Sequence, residues 1–516
     1  MRTQLHHLVF DAARRRADAP ALTFGETTVG YGELRREVTR FAAGLRQLGL
    51  RRSDRVAVYL DKRIEAVVSI FGTSRGGAVF VPINAVLKPQ QVAYILADCD
   101  VRVLVTTRER LELLEGELAG TAVEHVIVVG ETSTDGSVAR HAWSSFMRDE
   151  PTAEPEAIDV DMAAIFYTSG STGKPKGVVL SHRNLLAGGA AVSEYLGNRE
   201  DDVILAALPL SFDAGFSQLT TAFTVGAHVV LMNYRLPRDV VALCAEHRVT
   251  GLTCVPPLWI ALSEQEWPET ATHHLRYFAN TGGRMPRSVL TRLRAIFPAA
   301  KPYLMYGLTE AFRSTYLDPA EVDRRPGSIG KAIPNAEILV ARPDGTLCDP
   351  GEEGELVHRG ALVSMGYWND PARTAERFRP APGQPTGVAN PELAVWSGDL
   401  VRQDAEGFLY FVGRNDDMIK TSGYRVSPTE IEEVVYATGL VRDAVALGVE
   451  DPRLGQRIVL IVSPSGGQLG TDELLRALRR QLPRYMVPSD VIVRAQIPRS
   501  PNDKFDRTLL RRELAA

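Results

Sequence analysis

The chain has 516 residues, of which 45% are hydrophobic and 24% are charged, and its formal net charge is −4. This length exceeds the roughly 250–300 residues that a single hydrophobic core serves, so at least two domains are predicted. The near-neutral charge without a long basic run excludes an electrostatic footprint for nucleic acid or anionic lipid, and no apolar stretch reaches the roughly 18–20 residues of a membrane span.

Two further features indicate the compartment. The N-terminus has no apolar signal segment after Arg2. The cysteines lie far apart without a C-x-x-C pair, which argues against a disulfide framework or a zinc site; they are Cys99, Cys244, Cys254 and Cys348. We therefore expect a cytoplasmic protein with reduced thiols, whose partner is a small molecule or another protein.

Short β-branched runs alternate with helical patterns through the first half of the chain. Helices are predicted over residues 31–48, 64–75 and 89–96. Strands are predicted over residues 55–60, 78–83, 101–106, 125–129, 164–167 and 228–232. Loops or linkers are predicted over residues 130–136, 149–156 and 380–391. The alternation is typical of an α/β protein with parallel sheets covered by helices.

The pattern changes after Gly360. Short strands are predicted over residues 355–358 and 408–412, and helices over residues 426–438 and 471–482. A boundary at residue 414 leaves a C-terminal part of roughly one hundred residues, a common domain size. We therefore predict an N-terminal domain over residues 1–414 and a C-terminal domain over residues 415–516.

The sharpest local signal is the Gly/Ser/Thr-rich segment 167–177, which follows a predicted strand and precedes a helix starting near Ser181. Glycines let the backbone approach a ligand, hydroxyl and amide groups donate to phosphate oxygens, and the lysines neutralise charge. It is not a Walker A loop, because Pro175 follows the first lysine. We interpret it as a triphosphate cradle, with a flexible surface connection as the alternative. Its candidate ligands are Thr168, Ser169, Gly170, Ser171, Thr172, Gly173, Lys174 and Lys176.

Further segments follow in a fixed order, namely Tyr-Gly-Leu-Thr-Glu at 306–310, Ser-Gly-Asp at 397–399, Gly-Arg at 413–414, Lys-Thr-Ser-Gly-Tyr-Arg at 420–425, and 498–507. In order and spacing the chain resembles the adenylate-forming superfamily of acyl-CoA synthetases, luciferases and nonribosomal peptide synthetase adenylation domains. The closer resemblance is to stand-alone amino-acid adenylating enzymes and exosortase-associated acyl-CoA ligases. It implies ATP and Mg²⁺ as cofactors. It also implies two αβ-layered subdomains and a small distorted β-barrel, followed by a small mobile α+β C-terminal domain.

The resemblance also implies a nucleotide site. Tyr306 would stack on the adenine, Asp399 would accept the ribose hydroxyls, and Arg414 would donate to the ribose or phosphate region. Residues along the adenine and its edge would be Gly282, Gly283, Arg284 and Gly307. Without the resemblance, the Ser-Gly-Asp segment is also compatible with an ordinary turn.

The same resemblance gives roles in the chemistry to three residues. Glu310 would hold Mg²⁺, Thr309 would reach the α-phosphate, and Lys504 would bridge the attacking carboxylate and the α-phosphate. The family pattern usually has glycine before this lysine and isoleucine after it, where this chain has Asp503 and Phe505. Read alone, Thr309-Glu310 fits a helix cap equally well, and a lone tail lysine is usually solvated.

A hinge is implied at Asp416, where the C-terminal domain would rotate between adenylation and thioester formation. The alternative for this residue is an ordinary surface-loop aspartate. The hinge assignment depends on the position of Asp416 within the family pattern. It predicts where the hinge lies and also that the C-terminal domain moves.

The segment 208–215 bears on the substrate, because its Phe212-Asp213 resembles amino-acid adenylation domains, whereas many acyl-CoA synthetases carry an aromatic-His pair there. A carboxylate in a mostly apolar pocket needs a partner, and a substrate ammonium group would supply one. The alternative is that Asp213 caps the helix predicted over 214–223. Arg313 would pair either with an acidic substrate or with a protein carboxylate. The rest of the pocket wall would be Ala214, Ser217, Cys254, Ala279, Thr281, Met305 and Ser314.

These residues predict an AMP-forming acid–thiol ligase. The first hypothesis is adenylation of an amino acid and its transfer to the phosphopantetheine thiol of an acyl or peptidyl carrier protein. The second is a CoA ligase for a non-amino carboxylic acid, such as an aryl or fatty acid. A third is a non-catalytic relative, against which the presence of Thr309, Glu310 and Lys504 argues.

Overall fold

The computed structural model describes residues 2–130, 138–149, 156–168, 175–385, 387–414, 419–421, 424–451, 454–466, 469–482 and 484–515. The predicted phosphate-loop residues 169–174 lie outside these ranges. The predicted hinge residue Asp416 and most of the predicted linkers at 130–136 and 149–156 lie outside them as well. In the described part of the chain, no helix is both long and apolar enough to cross a membrane.

The first layered unit is built on a mixed sheet that ends at the phosphate loop. Its strands, in spatial order, are Ala139–Ala142, His125–Val129, Val101–Thr107, Arg55–Tyr59, Val79–Pro82, Met162–Thr168 and Lys176–Ser181. Its helices are Tyr31–Gln47, Ile64–Arg75, Pro89–Asp98, Arg108–Leu118 and Trp143–Phe146. The neighbours are parallel except Met162–Thr168 with Lys176–Ser181. The predicted parallel arrangement holds for the other neighbours and ends at this edge, because a short loop joins antiparallel neighbours.

The second layered unit carries most of the candidate site. Its strands, in spatial order, are Lys331–Ala332, Thr315–Leu317, Lys301–Tyr306, Tyr277–Asn280, Gly251–Cys254, Val203–Ala206, His228–Leu231, Pro20–Phe24 and Thr27–Gly30. Its helices are His7–Arg15, His182–Leu196, Asp213–Val225, Pro237–Glu246, Pro256–Ser263, Glu269–Thr272 and Arg287–Ile296, with 3-10 turns at Thr309–Ala311 and Pro319–Glu321. The central strands are parallel, which confirms the predicted α/β class.

Two smaller sheets complete the chain, and their neighbouring strands are antiparallel except for the parallel pair Gly455–Pro464 with Asp490–Val493. The sheet in the place of the predicted barrel contains Ala336–Ala341, Glu353–Gly360, Leu393–Gln403, Phe378–Pro380 and Leu409–Arg414, beside the helix Pro371–Arg377. The C-terminal sheet contains Tyr424–Val426, Ile419–Thr421, Gly455–Pro464, Val441–Asp451 and Asp490–Val493. Its helices are Pro428–Ala437, Thr471–Gln481 and Arg507–Ala515, with a 3-10 turn at Arg484–Met486. The C-terminal part is therefore α+β, as predicted.

An aromatic cluster fixes the helix that starts at Asp213 between the two layered units. Phe216 of this helix is fully buried. Its ring centroid lies 5.2 Å from that of Phe80 and 5.7 Å from that of Phe166, both on strands of the first unit. Because tightly packed aromatic rings resist displacement, the first turn of the helix has a defined position relative to both sheets.

Candidate active site

The two strands that flank the phosphate loop bring Thr168 and Lys176 into register across the antiparallel pair. The Oγ1 atom of Thr168 is buried and has no hydrogen-bond partner among the described residues. Lys176 Nζ donates to Glu310 Oε1 at 2.8 Å and to the hydroxyl of Tyr367 at 2.9 Å. Thr168 and Lys176, which flank the phosphate loop, therefore offer a hydroxyl without a partner among the described residues and a cation. Both groups are suited to binding phosphate.

Glu310 lies beside this cation at the start of the 3-10 turn. Its Oε1 also accepts a hydrogen bond from Tyr367 at 2.6 Å. Burial by itself would raise the pKa of Glu310, but the charge of Lys176 and the hydrogen bonds from Lys176 and Tyr367 lower that pKa to about 2. A permanently ionised carboxylate is therefore held beside the phosphate loop.

This arrangement fits Mg²⁺ held jointly with phosphates. Among the described residues no group of three or more His, Cys, Asp or Glu side chains forms a metal site. Mg²⁺ commonly takes one or two carboxylates, with water and substrate phosphates completing the shell. Glu310 offers one carboxylate where the triphosphate would lie, so the donor set matches that mode. Tyr367 was missed by sequence reasoning, because no local motif links it to Glu310.

The predicted adenine and ribose residues meet at the end of the second sheet. The hydroxyl of Tyr306 donates to Asp399 Oδ2, and Asp399 is paired with Arg414 across neighbouring strands. Gly282 has φ of +74°, a conformation that residues with a side chain rarely adopt. A Cβ on Gly283 would lie 3.1 Å from Pro256. These glycines therefore let the backbone pass close to Pro256 and its neighbour Val255.

Arg284 and Gly307 occupy different surroundings. Arg284 Nε forms an ion pair at 3.3 Å with Glu433 on the C-terminal helix Pro428–Ala437. The pKa of Glu433 is raised by burial. Gly307 packs against the backbone of Arg313, since an added Cβ would lie 3.1 Å from the Arg313 Cα. Arg284 thus joins the two predicted domains. Gly307 allows its own backbone to lie close to the backbone of Arg313, which lines the pocket.

Lys504 reaches the junction between the adenine and acyl segments. Its Nζ lies 5.7 Å from the ring centroid of Phe212, within cation–π range. Its Cε lies 3.6 Å from where a Cβ on Gly282 would be. A residue near the C-terminus is therefore placed at the predicted reaction centre.

The turn that carries Lys504 explains the departure from the family pattern. Asp503 has φ of +58°, the left-handed region that glycine adopts freely and that Asp tolerates better than most residues. The turn is closed by a hydrogen bond from Ser500 N to the Lys504 carbonyl at 2.7 Å. The guanidinium carbon of Arg499 lies 4.4 Å from the ring centroid of Phe505. The turn forms with aspartate in place of glycine.

A cavity opens along the helix Asp213–Val225, beside Arg313. Four of the predicted pocket residues line it, namely Ala214, Ser217, Met305 and Arg313. The lining also contains residues that sequence reasoning missed, namely Val192, Leu196, Ile204, Gln218, Thr221, Thr253 and Tyr277. Gln218 and Thr221 lie one helical turn from Ala214 and Ser217, a spacing that the sequence does show. The predicted residues Cys254, Ala279, Thr281 and Ser314 are buried but are not part of this lining.

Asp213 and Arg313 form a buried ion pair at the cavity. Arg313 Nη1 lies 2.9 Å from Asp213 Oδ2, and the two side chains are only 2% and 5% exposed. Asp213 Oδ1 has a long contact of 3.5 Å from Thr309 Oγ1. Arg313 Nε is buried without a hydrogen-bond partner among the described residues. Asp213 occupies the first turn of its helix, but no side-chain capping hydrogen bond is formed there, so the capping alternative is not what this geometry shows.

A buried lysine that sequence reasoning missed, because no motif marks it, supports the acyl segment. Lys62 Nζ donates to the carbonyls of Ala206, Ala207 and Leu208 at 2.7, 2.8 and 2.9 Å. Asn233 exchanges two 2.9 Å hydrogen bonds with the Lys62 backbone. The lysine thus fixes the residues immediately before the segment 208–215.

Comparison with known proteins shows the family of the chain. Models of the AMP-binding enzyme and of the AMP-binding enzyme C-terminal domain match residues 9–368 and 430–504. The chain is 33% identical to an L-proline–[L-prolyl-carrier protein] ligase of Streptomyces coelicolor, covering 96% of this chain and 94% of that one. It is 31% identical to a feruloyl-CoA synthase of Amycolatopsis, covering 97% of each.

A solved structure also matches the whole chain. O-succinylbenzoate coenzyme A synthetase from Bacillus subtilis, in complex with ATP and magnesium ion, superposes with a TM-score of 0.83. The two chains are 26% identical and are covered completely. Sequence and fold agree, and the chain belongs to the AMP-binding enzyme family.

Proposed function

We propose that this AMP-forming ligase uses ATP and Mg²⁺ to adenylate a small amino acid and then transfers the aminoacyl group to the phosphopantetheine thiol of a carrier protein. The carboxylate oxygen would attack the α-phosphate and release pyrophosphate, and the thiol sulfur would then displace AMP. The observation that carries the proposal is the buried carboxylate of Asp213, whose ion-pair partner Arg313 and neighbour Ala214 line the acyl cavity.

The spacing around Asp213 suits an α-amino acid. Phe212, the preceding residue, lies under the ammonium group of Lys504. The lysine that would meet the substrate carboxylate therefore lies against the residue that precedes Asp213, which would meet the substrate ammonium. In an α-amino acid these two groups are separated by a single carbon. Because Asp213 Oδ1 has only a long contact from Thr309, it keeps capacity to accept a further hydrogen bond.

Residues of this chain would supply the positioning and the charge stabilisation. Lys504 would bridge the attacking oxygen and the α-phosphate, and Thr309 would donate to that phosphate. Tyr306 would stack on the adenine and Asp399 would accept the ribose hydroxyls. Glu310 would hold Mg²⁺, which when bound neutralises phosphate charge.

The cavity supports a small substrate side chain. Apolar walls from Val192, Leu196, Ile204 and Met305 favour a compact apolar group. The carrier-protein ligase among the relatives acts on L-proline, a compact cyclic amino acid, which makes L-proline the first probe.

A second candidate is a CoA ligase for a non-amino carboxylic acid. The observation that favours it is the 2.9 Å pairing of Asp213 with Arg313, since the aspartate is then already neutralised without a substrate. Arg313 Nε, which has no hydrogen-bond partner among the residues that the structure describes, would donate to an oxygen of such a substrate. The relatives include a feruloyl-CoA synthase, which fits this alternative.

Pyrophosphate release separates the two candidates. The purified chain is supplied with ATP, Mg²⁺ and either L-proline, other small amino acids, their deaminated analogues, or aryl and dicarboxylic acids. The proposal expects turnover with an amino acid and weak turnover with the analogue that lacks the amine. Acceptor choice is then measured as thioester formation on a phosphopantetheinylated carrier protein or on free CoA. Turnover confined to non-amino acids with free CoA would establish the second candidate instead.

We also propose that residues 1–414 and 415–516 form the two domains and that Asp416 is the hinge between them. The two matching family models leave residues 369–429 between them, and Asp416 falls in this interval. The ion pair of Arg284 with Glu433 joins the two parts in the arrangement seen here. Rotation about the hinge would break this contact, since it would move the C-terminal helix away from the adenine segment.

A further inference from the structure

A hydrogen bond connects the first layered unit to the turn that carries Lys504. Asn84 follows the strand Val79–Pro82, and its Nδ2 donates to the carbonyl of Pro501 at 2.9 Å. Asn84 is only 9% exposed. Pro501 precedes Lys504 by three residues, so the bond acts on the same turn as the lysine.

Both partners of this bond are held by their own local structure. Asn84 Oδ1 accepts from Val86 N at 3.2 Å, and the Asn84 carbonyl accepts from Leu87 N at 3.1 Å. These bonds orient the side-chain amide towards Pro501 before the turn arrives. On the other side, Asp503 N donates to the Ser500 carbonyl at 2.9 Å. Because neither side has to become ordered, little of the bond's free energy is lost to entropy.

The contact joins residues 417 positions apart. It crosses between the two proposed domains, and it exists in the arrangement where Lys504 lies over Phe212. A turn rotated away from the adenine segment would lose both contacts together. The bond is thus coupled to the placement of the lysine.

We propose that Asn84 is a positioning residue that docks the Lys504 turn for adenylate formation and releases it when the C-terminal domain rotates. One neutral hydrogen bond shifts an equilibrium about two- to tenfold. That is enough to favour the docked arrangement and too little to prevent release. The proposal rests on the proposed role of Lys504 and on domain rotation, but not on which acid is activated.

The chain offers a substitution that removes only the donor. Asn84→Asp keeps the oxygen that accepts from Val86 but cannot donate to the Pro501 carbonyl. Asn84→Ala removes both functions. Asn369→Asp is the matched control, because Asn369 Nδ2 also donates to a backbone carbonyl, that of Asp98 at 2.7 Å, within the first proposed domain.

Docking is measured as a distance distribution between two spin labels on the full chain. Leu113→Cys and Leu509→Cys supply exposed attachment sites, one on each proposed domain, in a Cys348→Ser background. The remaining cysteines are buried. Double electron–electron resonance is recorded with ATP and Mg²⁺ and without an acid substrate, so a failure to find the activated acid does not affect the readout.

We expect Asn84→Asp and Asn84→Ala both to lower the ratio of docked to undocked molecules about two- to tenfold or more, with the melting temperature close to that of the parent. Asn369→Asp should leave the ratio unchanged. The proposal is overturned if Asn84→Asp keeps the parent ratio, if Asn369→Asp lowers it equally, or if the parent shows no population at the distance of this structure.

Discussion

Replacing Asp213 by alanine removes one partner of the buried ion pair and, on the proposed function, the partner of the substrate ammonium. The two side chains are 2% and 5% exposed, so Arg313 would be left almost fully buried and unpaired. Breaking such a pair by removing one partner costs about 3–5 kcal/mol of stability. The single substitution therefore mixes a structural cost with a substrate effect, and the design has to separate them.

A second variant makes that separation. Asp213→Ala with Arg313→Met removes both charges, which avoids the uncompensated cation, and should recover much of the lost stability. Thermal unfolding measures this recovery. Activity that returns together with stability in the double variant would show that Asp213 acts only through Arg313.

The substrate effect is measured as pyrophosphate release with an amino acid and with its deaminated analogue. Loss of the ammonium partner should cost about 2–5 kcal/mol, which is roughly 30- to several-thousand-fold in kcat/KM for the amino acid. The analogue should be a poor substrate for the parent and a relatively better one for Asp213→Ala. These four measurements close a cycle on one contact. Additive effects, with no coupling between the amine and Asp213, would refute amine recognition and favour the non-amino acid candidate.

Three further substitutions test other parts of the site. Lys504→Ala should lower adenylate formation by roughly 10²–10³ or more while thioester formation from supplied acyl-AMP survives; equal losses in both steps would contradict a dedicated adenylation role. Asp416→Pro should impair one half-reaction far more than the other, and parent rates in both would show that the hinge is elsewhere. Lys62→Met, which removes the donor to three carbonyls, should destabilise the fold by about 2 kcal/mol and raise KM for the acid but not for ATP. Urea unfolding and the two KM values check this, and an equal rise in both would contradict a role confined to the acyl segment.

The sequence by itself determined the class of fold and the order of the nucleotide motifs. The helix Ile64–Arg75 and the strand His125–Val129 have the bounds that the sequence pattern predicts. Such elements follow from hydrophobic periodicity and turn chemistry, which act over a few neighbouring residues. Asp503 shows what a sequence motif leaves open. The sequence shows aspartate where the family pattern has glycine, but only the structure shows that the turn forms with Asp503 in the left-handed backbone conformation.

Only the tertiary structure decided which charged groups meet. Asp213 and Arg313 are 100 residues apart, and Lys62 reaches carbonyls 144 to 146 residues away. Tyr367 comes to Glu310 from yet another segment. The cost of burying an unpaired charge requires each of these groups to have a partner, but it does not specify which one. Tertiary packing makes that choice, between the two layered units for Lys62 and within the second unit for Asp213 with Arg313, because it brings these side chains within hydrogen-bond distance.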